Sequence, residues 1–325
     1  MSNPDDTTKP PLITVGVTCY NAEDTIARAI DSARMQDWDE LEILAVDDCS
    51  QDRTAAVVEG LAKKDERVRL IRHGQNGGPG AARETLLNES RGQYLAFFDD
   101  DDESARDRLS VQYRRLVEYR EETGCTLAAC YGSGRRVYEN GYELGIEAIG
   151  SAPRVPIGEE AVDYLLFNGR VRGVFYGAGT PACALMASTE TMRAVGGFDP
   201  AFRRVEDVDF AVRLGLGGGH FVGCPEQLYT QHATQAPDKS ARRNYDAEIR
   251  LLEKHRHYLE QRNRYDFARN WFTVRYHHFN GDRGSMMAAL TRGFIRNPLL
   301  VLRQLVTTVP ARAAHERRMA RGSKQ

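Results

Sequence analysis

Four apolar runs in the first hundred residues, each closing on polar or acidic residues, constrain this chain more than any other feature. ITVGVT (13–18), LEILAV (41–46), VRLIR (68–72) and YLAFF (94–98) are short and rich in β-branched or aromatic side chains. That is how buried strands read. Segments of helical spacing separate them. Ala22–Met35 repeats Ile26, Ile30 and Ala33 behind a cap at Asn21; 53–64 follows Ser50 or Asp52 as cap; and about 80–89 follows the breaker cluster NGGPG. Strand–helix alternation of this kind predicts an α/β fold with a mostly parallel sheet flanked by helices. In open sheets of that type, ligands bind beyond the carboxyl ends of the strands. Thr18–Tyr20, Asp47–Asp48, His73–Asn76 and Asp99–Asp102 are therefore expected to meet at one edge.

The rest of the chain reads less regularly. A helix is expected from Asp107 to about 123, a strand over 127–138, and a hairpin turn at ENGY (139–142). Residues 145–172 receive no assignment. PACALMAS (181–188) reads as a strand, 188–196 as a helix, and 206–214 as a helix stopped by Gly215 and Gly217–Gly219. From Ala236 the pattern is helical and charged, over about 238–263, 265–280, 284–296 and 298–309. The expected organisation is a disordered leader (1–11), a sheet domain (12–235) and a helical C-terminal region (236–325).

Composition excludes several classes. The formal net charge is −2, with 41% hydrophobic and 28% charged residues. This is an ordinary globular balance that makes no case for nucleic acid. The six cysteines form no CxxC pair and no zinc spacing, and are expected as buried thiols in a reducing compartment. The N-terminus (MSNPDDTTKPP) has no apolar core of a signal peptide, and no run approaches the ~20 apolar residues of a membrane span. A cytoplasmic protein is expected. The charge is uneven, however: residues 292–325 hold eight Lys/Arg against Glu316 alone, a net +7 that leaves −9 on the first 291 residues. The stretch from 297 mixes Leu and Val with Arg, which suits a basic amphipathic helix lying on an anionic membrane surface. A helical cap with a solvated basic end is the plainer account. The helices over 238–296 are candidates for homo-oligomer contact.

Four constellations carry chemistry. DDDD (99–102) ends a strand and precedes a helix. A solvated acidic loop would explain such a run in isolation. At a ligand-binding edge, several carboxylates repel one another unless a divalent cation joins them, and hard oxygen donors suit Mg²⁺ or Mn²⁺. VTCYN with VDDCSQD offers Asp48 as an acceptor for a nucleobase imide and Tyr20 as a stacking ring, against the alternative of a turn and helix cap. NGGPGAAR lacks both the Walker and the dinucleotide pattern, yet places Arg83 where it could meet a diphosphate. VEDVDF sets Glu206, Asp207 and Asp209 at a helix start, where a carboxylate in a cleft can act as general base; a charged amphipathic helix is the alternative.

Taken in order, VTCYNAEDTIARAIDSARMQ, EILAVDDCSQDRT, NGGPGAAR, RGQYLAFFDDDD, GGFDPAF and EDVDFAVRL resemble the family 2 glycosyltransferases over roughly residues 12–232. The resemblance implies a GT-A fold and inverting transfer from a nucleotide-diphospho-sugar, UDP foremost, to a glycan or lipid-linked hydroxyl, as a hexosyltransferase-type enzyme of cell-surface polysaccharide synthesis. It implies Thr18, Tyr20, Asn21, Asp48, Asn76, Arg83, Asp99, Asp100 and Glu206 as donor-binding residues and Asp207 as catalytic base. Asp101 and Asp99, with His232, become metal ligands for Mn²⁺ or Mg²⁺. The residue between the motif's two aspartates is itself acidic here, so the roles among Asp99, Asp100 and Asp101 stay open. Two other classes compete: a nucleotidyltransferase, which should carry a basic glycine-rich loop after the first strand, and a non-catalytic sugar-nucleotide-binding protein, which would not need the intact acids.

Overall fold

Strands β1 (Ile13–Cys19), β2 (Leu41–Asp47), β3 (Val68–Arg72) and β4 (Tyr94–Asp99) pair in parallel in the order β3-β2-β1-β4. The computed structural model describes residues 9–233 and 240–308. The leader up to residue 8, the domain boundary near 236 and the tail beyond 308 lie outside the described residues. The strands are apolar along their length because both faces are covered. Ile13, Val15, Val17, Ala96 and Phe98 pack under α1 (Ile26–Arg34) and α2 (Thr54–Ala62). Leu44, Val46, Leu95 and Phe97 pack on the other side, under α3 (Pro79–Glu89). The register places Thr18 opposite Asp99 and Val46, and Asp47 opposite Cys19 and Arg72. The ends of β1, β2 and β4 therefore stop at the same level.

Beyond β4 the sheet becomes mixed. β5 (Glu103–Ser104) and α4 (Arg108–Thr123) lead to β6 (Ala128–Val137) and its hairpin partner β7 (Glu143–Ile146). After α5 (Glu159–Phe167) come β8 (Leu185–Ser188), α6 (Thr189–Ala194), α7 (Glu206–Leu216) and β9 (His220–His232). The sheet runs β3-β2-β1-β4-β8-β6-β9-β5, with β7 on β6. β8 pairs antiparallel with β4 and β6, and β9 parallel with β6. The mostly parallel sheet expected from the sequence is parallel through β3-β2-β1-β4 and again at β6–β9, with antiparallel pairs where β8, β7 and β5 join.

Two elements depart from the sequence expectation outright. β9 was not anticipated: Gly223, Pro225, Glu226 and Gln227 break the alternation, because the register against β6 shifts around Gly132–Ser133. α5 fills the stretch left without assignment, burying Ala161, Val162 and Leu166 between a positive-φ Gly158 and a left-handed Asn168. Smaller differences are that 181–188 begins as a 3₁₀ turn (Ala182–Ala184) and that α1 starts at Ile26.

The C-terminal region comprises α8 (Ala241–Lys254), α9 (Arg256–Gln261), α10 (Tyr265–Phe279), α11 (Arg283–Arg296) and helical residues 298–308. Leu251, Leu252, Leu259 and Phe272 pack against Val162, Leu166, Phe202 and Val212 of the sheet domain. One buried carboxylate fastens the junction. Asp209 accepts from Arg213 Nε (2.9 Å), Lys254 Nζ (2.9 Å) and His255 Nε2 (3.0 Å). The expected single helix over 238–263 divides at His255, the residue that turns inward to Asp209.

Burial alone would raise the Asp209 carboxyl, but the hydrogen bonds from His255 and Lys254, with the charge of Arg213, outweigh it and bring it down to about 2. A depressed carboxylate stabilises the fold above its unfolded pKa and ceases to do so as pH falls through the folded one. Asp209→Asn should therefore lower the unfolding free energy by about 3 kcal/mol at neutral pH. In urea denaturation, the gap from wild type should close between pH ~4 and about 2.

Candidate active site

The three in-register strand ends open into a cleft of ≈ 1480 Å³ lined by Thr18, Tyr20, Asn21, Asp48, Asn76, Arg83 and Asp99–Asp101. All the donor-binding residues expected from the sequence line this cleft except Glu206. The loops are tied to each other before any ligand arrives. The Tyr20 N–H donates to Asp100 Oδ2 (3.1 Å), leaving the tyrosine ring half-exposed. Asn21, at φ +50°, donates its N–H to Ser50 Oγ (2.9 Å) and accepts from Gln51 N–H (2.8 Å), joining the loops after β1 and β2.

Asp48 is buried and already holds the glycine loop. Its Oδ1 accepts from Gly77 N–H (2.9 Å) and faces His73 Nδ1 (2.8 Å), and its Oδ2 accepts from Gly78 N–H (2.7 Å). A carboxylate offers about four acceptor sites, so one remains on Oδ2. Asn76 is likewise engaged, donating to Asp48 O (3.1 Å) and accepting from Arg203 Nη1 (2.7 Å).

The acid run divides. Asp99 and Asp101 flank Asp100 at the cleft, while Asp102 turns inward and is 7% exposed. Burial pushes Asp100 up to about 7, helped by the charges of Asp101 and Asp99. Asp102 rises to about 8, through burial and then Asp99 and Asp101. Burial raises Asp99 too, against Arg83. Asp102 Oδ2 is buried without a hydrogen-bond partner, and ligand atoms of Asp99, Asp102 and Cys183 lie within 4.8 Å of one another. Desolvated, mutually repelling carboxylates with an orphaned oxygen fit a divalent cation. His232 sits beside this group rather than in the cleft lining: its Nε2 meets Glu103 Oε1 at 2.9 Å.

Glu206 is engaged by Arg83, and Asp207 is not in a salt bridge with it. The guanidinium is buried, pairs with Glu206 Oε1 and reaches Asp99 Oδ1 at 3.2 Å. Arg83 is thus held between two carboxylates. Asp207 lines a second cavity, of ≈ 700 Å³, with Glu206; this cavity shares only Pro79, Arg83 and Arg204 with the first. Burial, then the charge of Glu206, pushes the Asp207 carboxyl up to about 7, against Arg83 and the N–H groups of Val208 and Ala182.

The residue that sets these acids is strained. Val205 has φ +58° and is the only β-branched non-glycine with positive φ among the described residues. Such a residue is an outlier, and strain of this kind gathers at functional sites.

The model of glycosyl transferase family 2 matches residues 14–164. Residues 14–164 therefore form a domain of glycosyl transferase family 2. The chain is 42% identical over 126 residues to the succinoglycan biosynthesis protein ExoO of Rhizobium meliloti, covering 39% of this chain and 34% of that one. It is 33% identical over 109 residues to the Campylobacter jejuni GalNAc(5)-diNAcBac-PP-undecaprenol beta-1,3-glucosyltransferase, covering 33% and 35%. The matches span about a third of the length of these relatives. Among solved structures, S. aureus TarS 1–349 in complex with UDP superposes with a TM-score of 0.57 at 21% identity, over 84% of this chain and 74% of that one. Mannosyltransferase PcManGT from Pyrobaculum calidifontis, in complex with GDP-Man and Mn²⁺, gives 0.56 at 18%, over 97% and 84%. These share the GT-A fold expected from the sequence.

Several residues of the two cavities carry no functional expectation from the sequence. Arg203 and Arg204 follow the GGFDPAF motif, and Arg243, Asp246 and Arg250 of α8 face the same cleft; their spacing of three and four was the available signal. Cys183 gave none, being one small residue in an apolar run.

Val205 supplies a test of the strained turn. In ordinary backbone, alanine is preferred to glycine. Here Val205→Gly should be more stable than Val205→Ala by about 1 kcal/mol, measured by urea unfolding of the two variants.

Proposed function

We propose that the chain is an inverting glycosyltransferase that moves a sugar from a nucleotide-diphospho-sugar, with UDP the foremost nucleotide, to a hydroxyl of a glycan or lipid-linked acceptor in cell-surface polysaccharide synthesis. The observation that carries this reading is the placement of the strand-end acids in one cavity and Asp207 in its neighbour, with Arg83 where they meet. An in-line displacement needs the leaving group and the base on opposite sides of the anomeric carbon. The names of relatives that act in succinoglycan synthesis and on an undecaprenol-linked glycan support the acceptor class. The UDP and GDP-Man complexes of the structural neighbours support a nucleotide donor.

Tyr20 and Asp48 would hold the nucleobase, the ring by stacking and the carboxylate through its one remaining acceptor site. Asp101 and Asp99, with His232 alongside, would hold Mn²⁺ or Mg²⁺. That cation, when bound, supplies positive charge to neutralise the diphosphate. Arg83 keeps Glu206 engaged, so Asp207 is the acid available to take a proton. Asp207 would remove it from the acceptor hydroxyl; the oxygen forms a bond to C1, and the C1–O bond to the diphosphate breaks with its electron pair. A single displacement of this kind inverts the anomeric centre. A proton affinity near neutrality is what a base needs at neutral pH.

A screen of UDP-, dTDP- and GDP-sugars with Mn²⁺ and Mg²⁺ by thermal shift, then by nucleotide release, tests the reading. Failure of every donor to bind or turn over would overturn it. Asp207→Asn should lower kcat by about a thousandfold while donor-induced thermal shifts persist. A base must be deprotonated to act, so wild-type kcat should rise with pH through about 7 at saturating metal.

Peripheral membrane contact belongs to the same proposal. Among the described residues no helix is long and apolar enough to cross a membrane. Ile295, Leu299 and Val306 are nonetheless 77%, 80% and 66% exposed, among Arg292, Arg296 and Arg303. An apolar face edged by arginines suits an anionic lipid surface. The combined change Ile295→Ser, Leu299→Ser and Val306→Ser should abolish sedimentation with liposomes containing anionic lipid. Equal pelleting of both proteins would remove the membrane contact.

A further inference from the structure

The cavity that contains Asp207 is built largely by the C-terminal helices. α8 serves both spaces. Arg243, Asp246, Ala247 and Arg250 line the larger cleft; Ala241, Asn244, Tyr245 and Glu248 line the smaller. The two sets repeat one spacing two residues apart, which is about 200° around a helix of 3.6 residues per turn. They occupy nearly opposite faces, so α8 is the partition between the cavities.

The two spaces differ in chemistry. Eight carboxylates against five guanidinium groups line the larger cleft, an excess of negative charge that suits a cation and its diphosphate. Three of each line the smaller one, a balanced set: Arg83, Arg204 and Arg275 with Glu206, Asp207 and Glu248. Two of its pairs are closed internally, Arg83 with Glu206 and Arg275 Nη2 with Glu248 Oε1 at 3.2 Å. Tyr245, Tyr276 and Phe279 complete the lining, and the two tyrosine rings stack at 4.8 Å and 29°. Paired charges do not attract an anion, but they still offer hydrogen bonds. Aromatic faces carry negative charge density that attracts the polarised C–H groups of a sugar ring. At ≈ 700 Å³ the space lies within the ~300–1,000 Å³ usual for small-molecule sites.

We infer that this smaller cavity is the acceptor subsite, and that it takes an uncharged sugar ring seated against Tyr276 and Phe279, hydrogen-bonded by Glu248 and Arg275, with a hydroxyl turned to Asp207. This rests on the glycosyltransferase reading above. It adds that acceptor choice resides in α8 and α10, outside the residues matched by the family model.

Saturation-transfer NMR on the full chain with UDP and Mg²⁺ tests it, using methyl glucoside, methyl galactoside and methyl N-acetylglucosaminide as probes. Wild type should bind at least one. Tyr276→Ala and Glu248→Gln should each weaken that binding about tenfold, with melting temperatures kept, and Tyr276→Phe should restore it because the ring remains. A negatively charged probe, methyl glucuronide, should bind more weakly than methyl glucoside. If wild type binds no uncharged glycoside, or Tyr276→Ala binds as wild type does, the subsite assignment is wrong. Donor-induced thermal shifts of the wild-type protein, read separately, report on the parent reading: their presence with no glycoside bound defeats only the subsite.

Discussion

The site depends on one buried guanidinium. Arg83 projects from α3 and is held between Glu206 at the start of α7 and Asp99 at the end of β4. A charge removed from water is tolerable only when paired, and Arg83 is paired twice, with elements far apart in sequence. Burial alone would lower its proton affinity, but Glu206 and Asp99, with Asp207 close by, outweigh that and raise it. The guanidinium thus stays charged, and the first and second halves of the sheet domain are fixed relative to each other at the point where the two cavities meet.

The three acids of the α7 motif show how one short stretch serves three purposes. Glu206 is spent on Arg83, Asp209 on Lys254, His255 and Arg213, and Asp207 is left facing a cavity. Helix geometry turns Asp207 away from the other two, because residues one and two apart point in different directions. The strained Val205 sets where that rotation begins.

Legibility in the sequence tracks the strength of the physical signal. β1 to β4 were readable because strands buried on both faces are continuous in hydrophobicity, and their shared register turns four sequence-distant loops into one edge. β9 was not, since its bulge breaks the period of two that betrays a strand. The aspartate run could be located but not apportioned: only the fold shows Asp100 taken by the Tyr20 N–H and Asp102 turned inward. Asp48 was identified as an acceptor, yet its prior bonds to Gly77 and Gly78 depend on contacts across some thirty residues, which no local pattern encodes.

The partition formed by α8 has a consequence for how such a protein can diversify. A single helix carries one set of side chains toward the donor space and another toward the second cavity, on faces turned away from each other. Substitutions at Arg243 or Arg250 fall on one face and those at Glu248 on the other, whereas Asn244 touches both spaces through Arg204, which donates to its Oδ1 at 2.9 Å. If the smaller cavity receives the acceptor as inferred above, choice of what is transferred and choice of what receives it could drift separately within fourteen residues, while the strand-end acids and Arg83 stay as they are.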